Sequence, residues 1–127
     1  MKLSEIISKY ECTVYTPDLL TNKDINYGFC ADLMSDALMI LNSVKDPRIL
    51  KESILITGLV TNQSIRTAEM LDVEVVLLVR GKIPSIKVVD LAIDSRVILL
   101  GTKLTMFNTS GMLYADGIKG INYDMQW

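Results

Sequence analysis

The sequence of 127 residues contains no histidine and only two cysteines, Cys12 and Cys30. Histidine is the commonest general base and the commonest transition-metal ligand, so its absence excludes the usual Ser-His and Cys-His catalytic arrangements. Both cysteines stand among apolar residues, where a thiol typically packs in the core. We therefore expect two structural thiols and no disulfide.

Aromatic residues and excess charge are also scarce, at 6% aromatic content and a formal net charge of −2. Without a basic run or patch, the chain has no electrostatic footprint for nucleic acid. No apolar run approaches the roughly 18 residues that cross a bilayer. The first residues, MKLSEII, are too polar for a signal peptide. We expect a cytoplasmic protein that binds neither nucleic acid nor membrane.

Three nucleotide or hydrolase motifs are absent: G-x-x-x-x-G-K-[ST], G-x-G-x-x-G after a strand, and G-x-S-x-G. Asp32 and Asp36 lie one helical turn apart and could share a magnesium-like ion, which leaves a metal-dependent enzyme as a hypothesis. A helix cap and a solvated helix face explain the two carboxylates more simply. We predict a protein that is not an enzyme, with no cofactor and no metal site.

The second half of the chain repeats one plan, in which a short apolar run ends in a turn and residues at helical spacing follow. Strands that are apolar on both faces, alternating with amphipathic helices, are typical of a parallel sheet covered on both sides. The predicted strands are 11–15, 25–31, 53–57, 73–79 and 96–100, and the predicted helices are 3–9, 33 to about 42–43, 62–71, 84–94 and 104–115.

The fold class that follows is α/β, a single compact domain with a mainly parallel sheet of about four to five strands and helices on both faces. The domain is expected to span 1–118, followed by a C-terminal tail, 119–127, in which Tyr123 and Trp127 follow no clear period. Asp32 is predicted to N-cap its helix. The helical faces expected to be buried carry Ile65, Ala68 and Leu71; Ile86, Val89 and Ile93; and Met106, Phe107 and Leu113.

Polar and small residues follow the predicted strands at the carboxyl edge of the sheet, where open parallel sheets bind ligands. Backbone N–H groups of a turn can hold an anion there, and Arg80 offers a fork of donors to phosphate or carboxylate. Caps, turn geometry or pairing of Arg80 with an acid or a second subunit would explain the same residues structurally. The candidate ligand residues are Asp32, Ser35, Thr57, Gly58, Asn62, Arg80, Gly81, Thr102 and Thr105.

Three segments, ADLMSDA at 31–37, ITGLVTNQSIRTAEM at 56–70 and LGTKLTMF at 100–107, together resemble the DRTGG domain family. The chain is most similar to small stand-alone members related to the N-terminal region of HPr kinase, over about residues 2–118. The resemblance implies a compact α/β unit that occurs alone, beside CBS domains in regulated pyrophosphatases, in phosphotransacetylases and in proteins related to cobyrinic acid synthesis. It implies a regulatory or dimer-forming role.

The chain also departs from that family. The string that names the family is absent, and GLVTN at 58–62 stands where some relatives have a Gly-Asp-Arg turn. This departure argues against a nucleotide phosphate site at that turn. The kinase activity belongs to a separate P-loop domain and does not carry over. Some stand-alone relatives belong with iron-only hydrogenase or signalling-kinase systems, which implies a protein partner.

Two functions are consistent with these observations. The first is a non-catalytic regulatory or adaptor module that forms a homodimer. The alternative is a domain that senses a small ligand, an adenine nucleotide or another anion, at the carboxyl edge of the sheet.

Overall fold

The computed structural model describes residues 1–122, which form six strands and six α-helices. The strands are Thr13–Val14 (β1), Tyr27–Cys30 (β2), Ser53–Thr57 (β3), Val75–Leu78 (β4), Ile98–Gly101 (β5) and Lys119–Gly120 (β6). The helices are Leu3–Lys9 (α1), Met34–Leu41 (α2), Pro47–Lys51 (α3), Asn62–Met70 (α4), Ile86–Asp94 (α5) and Met106–Ala115 (α6), and Pro17–Leu19 forms a 3₁₀ turn.

All six strands belong to one sheet with the order β1-β5-β4-β3-β2-β6. The four central strands are parallel, and β6 pairs in parallel with β2 at one edge. At the other edge β1 is antiparallel to β5, with Thr13 opposite Gly101. The expected α/β class with a mainly parallel sheet is confirmed, and β6 is the strand that the sequence patterns did not indicate.

Helices cover both faces of the sheet and enclose two apolar cores. One core joins α2, α4 and α5 to strand residues such as Leu55 and Val76, and the other joins α1 and α6 to Ile54 and Val75. Successive strand residues point to opposite faces, so a strand buried on both sides must be apolar throughout. This requirement explains the uninterrupted apolar runs of β4 and β5, whose residues are all buried.

The helical faces follow the sequence patterns only in part. Ile65, Ala68 and Leu71 are buried as expected, but Ile86 is 80% exposed and Ile93 is 44% exposed. Helix α5 instead packs through Val88 and Ala92, since the small Ala92 lets the helix approach its neighbours closely. In α6, Thr109 and Leu113 face the sheet and Phe107 is 86% exposed, so its predicted burial is also wrong.

The predicted capping role of Asp32 is wrong as well. Helix α2 begins at Met34 with Leu33 in the cap position, and no side chain caps it. The Asp32 carboxylate turns away from this helix towards the β3–α4 turn, where it meets a backbone N–H. A backbone donor in the neighbouring turn, the Gly58 N–H, therefore takes the place of the helix terminus.

The first residues of the predicted tail lie in the sheet. Ile121 follows β6, is buried, and donates its N–H to the Gly28 carbonyl at 3.2 Å. The predicted boundary at residue 118 stays a prediction, and Tyr123 and Trp127 lie outside the described residues. In the part of the chain that is described, every helix is too short or too polar to cross a membrane.

Candidate ligand-binding site

The turn after β3 is held in shape by two buried hydroxyl groups. Thr57 accepts the Leu59 N–H on its Oγ1 at 3.1 Å, and its carbonyl accepts the Val79 N–H at 3.1 Å. Ser64, in the first turn of α4, donates to the carbonyls of Leu59 and Thr61, each at 2.9 Å. The hydroxyls of Thr57 and Ser64 thus fix the turn and do not face a ligand.

The Asp32 carboxylate reaches this turn from the end of β2. Its Oδ1 accepts the Gly58 N–H at 2.6 Å, a short distance that is typical of a charged acceptor. The carboxyl ends of β2 and β3 are adjacent in the sheet, because Cys30 is paired with Ile56. An acidic side chain therefore occupies a backbone donor that an anion would otherwise use.

Arg80 reaches the same turn from the end of β4. Its φ is 63°, and its N–H donates to the Leu104 carbonyl at 2.8 Å, which fixes the backbone in the left-handed region. The guanidinium lies over Gly58, where an added Cβ would be 2.9 Å from Arg80 Cζ and 3.1 Å from Asp32 Oδ1. Asp32, Gly58 and Arg80 are named the Arg80 cluster below.

The ion pair within the Arg80 cluster is loose. Arg80 Nη1 and Asp32 Oδ2 are 3.9 Å apart, and the side chains are 48% and 51% exposed. An exposed pair at that distance is worth about 0–1 kcal/mol, so solvent or a stronger anion competes with it readily. The guanidinium keeps donor capacity that Asp32 does not saturate.

The other predicted site residues lie apart from the Arg80 cluster. Gly81 and Thr102 line a separate cleft, and the Thr102 hydroxyl donates to the Tyr10 carbonyl at 3.0 Å. Ser35 is exposed in the first turn of α2. Asn62 begins α4 and Thr105 N-caps α6 through its backbone, with no side-chain hydrogen bond to the helix. The structure thus brings together three of the nine predicted ligand residues, with Thr57 directly behind them.

The cleft beside Gly81 and Thr102 also contains residues that the sequence patterns did not single out. Its volume is about 170 Å³, and its lining includes two lysines and one tyrosine, Lys82, Lys103 and Tyr15. Each lysine directly follows a predicted site residue in the chain, and that adjacency is the signal from which they could have been found. Tyr15 comes from the other end of the sequence, and its place in the cleft follows only from the pairing of β1 with β5.

A larger surface hollow, of about 560 Å³, lies along α1 and away from the carboxyl edge. Its charged side chains already have partners, because Lys9 Nζ donates to Asp116 Oδ1 at 2.6 Å and Glu5 accepts the Lys2 N–H at 3.1 Å. The Lys9–Asp116 contact joins α1 to the end of α6, and the Glu5 contact lies within the first turn of α1. The hollow therefore offers less free donor capacity than the carboxyl edge despite its size.

Two further observations concern the chemical groups near this edge. Within residues 1–122, no group of three or more His, Cys, Asp or Glu side chains could hold a metal ion. Burial raises the pKa of the Cys30 thiol near the site, and Cys30 Sγ lies 2.8 Å from Ser110 Oγ.

Comparisons with known proteins identify the fold. No protein-family model matches this chain, and no curated protein matches it. A solved structure does: the CBS and DRTGG domains of the regulatory region of Clostridium perfringens pyrophosphatase, complexed with the activator diadenosine tetraphosphate. The TM-score is 0.62 at 16% identity, over 96% of this chain and 48% of the other. This chain thus spans about half of that regulatory region and shares the fold found there.

Proposed function

We propose that this chain is a non-catalytic regulatory module whose input is a small anionic ligand, such as an adenine nucleotide, bound at the Arg80 cluster. The observation that carries the proposal is the Arg80 guanidinium, which is half exposed over a glycine turn with its carboxylate partner 3.9 Å away. A planar fork of donors in that position suits phosphate or carboxylate.

Binding would rearrange the Arg80 cluster in a defined way. An anion on the guanidinium would compete with Asp32 Oδ2, whereas Asp32 Oδ1 is held by the Gly58 N–H at 2.6 Å. The carboxylate could then accept a hydroxyl or amino group of the same ligand. A ligand with both an anionic group and a nearby donor, as in a nucleotide, would satisfy both sides of the cluster.

The structural similarity supports a regulatory role. The similar structure is of a regulatory region complexed with the activator diadenosine tetraphosphate, and this chain covers 48% of it. This chain has the same fold and lacks the P-loop and histidine that common catalytic sites would need. Adenine nucleotides are therefore the first ligands to test, and the cytoplasmic location and a hydrogenase or signalling-kinase partner stay predictions.

The test is a thermal-shift screen against nucleotides, phosphorylated metabolites and divalent metals. A ligand at about 100 times its dissociation constant should add about 2.7 kcal/mol to the free energy of unfolding. Arg80→Ala should abolish the shift. Arg66→Ala, at an exposed arginine on α4, is the matched control and should retain it. A flat response to adenine nucleotides at millimolar concentration, or a nucleotide shift that survives Arg80→Ala, would contradict the proposal.

A second candidate function, a homodimeric adaptor, is favoured by the uncovered side of α5. Ile86 and Ile93 lie at helical spacing with Val89, and the two isoleucines are 80% and 44% exposed. Ile83, in the preceding loop, is 78% exposed. An apolar stripe of this kind commonly marks a protein–protein contact, and its isologous pairing would give a two-fold dimer.

A further inference from the structure

The cleft that contains Gly81 and Thr102 lies where β1 runs beside the ends of β4 and β5. It is named the lysine cleft here and is lined by Glu11, Thr13, Tyr15, Gly81, Lys82, Ile83, Gly101, Thr102 and Lys103. Arg80 is not among the lining residues, because its side chain turns towards Gly58. The cleft is therefore separate from the Arg80 cluster, although both use the β4–α5 loop.

Three side-chain donors of the cleft have no partner within residues 1–122. Neither the Lys82 nor the Lys103 ammonium group forms an ion pair or a hydrogen bond in this part of the chain, and neither does the Tyr15 hydroxyl. Five other lysines and arginines form ion pairs in this part of the chain, Lys9 and Lys23 among them. Two lysines and a tyrosine that line one small cleft offer a set of donors suited to an anion.

The walls of the cleft are fixed by backbone contacts. The Gly81 N–H donates to the Thr102 carbonyl at 2.9 Å, and its φ of 68° suits glycine. The Tyr15 ring lies against Gly101, where an added Cβ would be 2.9 Å from Cε2 and 3.4 Å from Oη. The Tyr15 N–H donates to the Leu99 carbonyl at 2.9 Å, which holds this strand beside β5. The donors are thus carried by an ordered frame, which reduces the entropy lost on binding.

We propose that the lysine cleft binds a small anion, a phosphoryl or carboxylate group, through Lys82, Lys103 and the Tyr15 hydroxyl. Its volume of about 170 Å³ is below the roughly 300–1,000 Å³ of pockets that hold drug-sized ligands, so it suits one anionic group and not a whole nucleotide. Glu11 also lines the cleft and reduces its positive charge. The inference does not rest on the Arg80 cluster.

The experiment is a titration of the ¹⁵N-labelled full chain with inorganic phosphate at constant ionic strength, followed by amide chemical shifts. We expect saturable shifts at Gly81, Gly101 and Lys103. Lys82→Gln and Lys103→Gln should each weaken binding about tenfold, the effect of losing one charge-assisted hydrogen bond. Lys87→Gln, at an exposed lysine on α5, is the matched control and should bind as the parent does.

Repeating the titration with acetate in place of phosphate distinguishes a phosphoryl ligand from a carboxylate ligand. Saturation by phosphate alone indicates a phosphoryl group, and saturation by both indicates a general carboxylate or phosphate site. Shifts that grow linearly with concentration, or that persist in the Lys82→Gln/Lys103→Gln double variant, would overturn the proposal. Saturable shifts confined to Gly58 and Arg80 would also overturn it while supporting the Arg80 cluster. Arg80→Ala should leave the cleft response intact.

Discussion

Gly58 has no side chain at the position where the Arg80 guanidinium crosses the turn. Gly58→Ala would bring a Cβ to 2.9 Å from Arg80 Cζ, and the end of this flexible side chain can move away. We expect the free energy of unfolding to change by less than about 1 kcal/mol, because lost unfolded-state entropy offsets the crowding. Displacing the guanidinium should nevertheless remove the thermal shift given by an anionic ligand.

The control for this change is Gly111→Ala on the exposed face of α6, where an added Cβ meets no atom within 4 Å. Replacing a helical glycine with alanine should stabilise the protein by about 0.5–1 kcal/mol and leave the ligand response unchanged. Urea unfolding and thermal shift measure the two quantities separately. A full ligand response in Gly58→Ala would show that the position of Arg80 over the turn is irrelevant to binding.

Cys12 gives a prediction about pH. Burial raises the pKa of its thiol from 9.0 to about 11, so the folded protein favours the neutral form. This contribution to stability is complete below about pH 9 and is lost as the pH rises towards 11. Because the side chain is partly exposed, we expect a loss on the order of 1–2 kcal/mol.

Urea unfolding between about pH 8 and pH 11 checks this expectation, with the slope given by proton linkage. Cys12→Ala should lose less stability over that range than the parent, even if it starts from a lower value. The pKa values of Tyr10 and Tyr27 are also raised, chiefly by burial; the Tyr27 contribution is common to both proteins, and that of Tyr10 includes a smaller repulsion from Cys12. Parallel pH profiles for the two proteins would contradict the assignment to Cys12.

At the scale of the element, α5 shows how a cap and a packed face set the position of a helix. Ser85 Oγ accepts the Val88 N–H at 3.3 Å and begins the helix. Ser85→Ala should lower the free energy of unfolding by about 0.5–1 kcal/mol, because one N-terminal N–H loses its acceptor. Ser8→Ala, at an exposed position within α1, should change stability by less than about 0.5 kcal/mol in chemical denaturation. Equal losses of stability in Ser85→Ala and Ser8→Ala would contradict a capping role for Ser85.

The same helix shows what sequence patterns can and cannot predict. The strands were predictable because each buried strand must be apolar on both faces, and the turns carry small or polar residues. The buried face of α5 was not predictable. Val88 and Ala92 form one apolar stripe along this helix, and Ile86, Val89 and Ile93 form another. Spacing alone cannot choose between two stripes. Only the approach of the helix to α4 and β5 makes that choice.

The candidate site was predictable to a similar degree. The carboxyl ends of parallel strands converge for topological reasons, so Asp32, Gly58 and Arg80 could be expected near one another. Asp32 can cap its own helix or accept a hydrogen bond from the neighbouring turn. The two arrangements differ by one hydrogen bond, and no local sequence pattern specifies which of them forms. Tyr15 could not be placed, because its position depends on pairing between strands at opposite ends of the chain.

At the scale of the whole molecule, the exposed α5 stripe leads to a prediction about assembly. If the stripe is covered by a second copy, size-exclusion chromatography with light scattering should give a dimer at micromolar concentration. Ile86→Glu should produce a monomer that remains folded, because the side chain is 80% exposed. Phe107→Glu, on α6, changes an equally exposed apolar residue and should leave the dimer intact. A monomeric parent, or dissociation by Phe107→Glu alone, would argue against α5 as the contact.

The order of the strands also constrains the way the chain assembles during translation. β1 pairs with β5, and β2 pairs with β6. At each edge of the sheet, the two paired strands are therefore separated by roughly 90 residues of sequence. The strands β2, β3 and β4 can pair while the ribosome is still synthesising the rest of the chain. Until β5 and β6 emerge, a nascent intermediate displays two unpaired margins to its neighbours, and this is the stage at which a chaperone would protect it most.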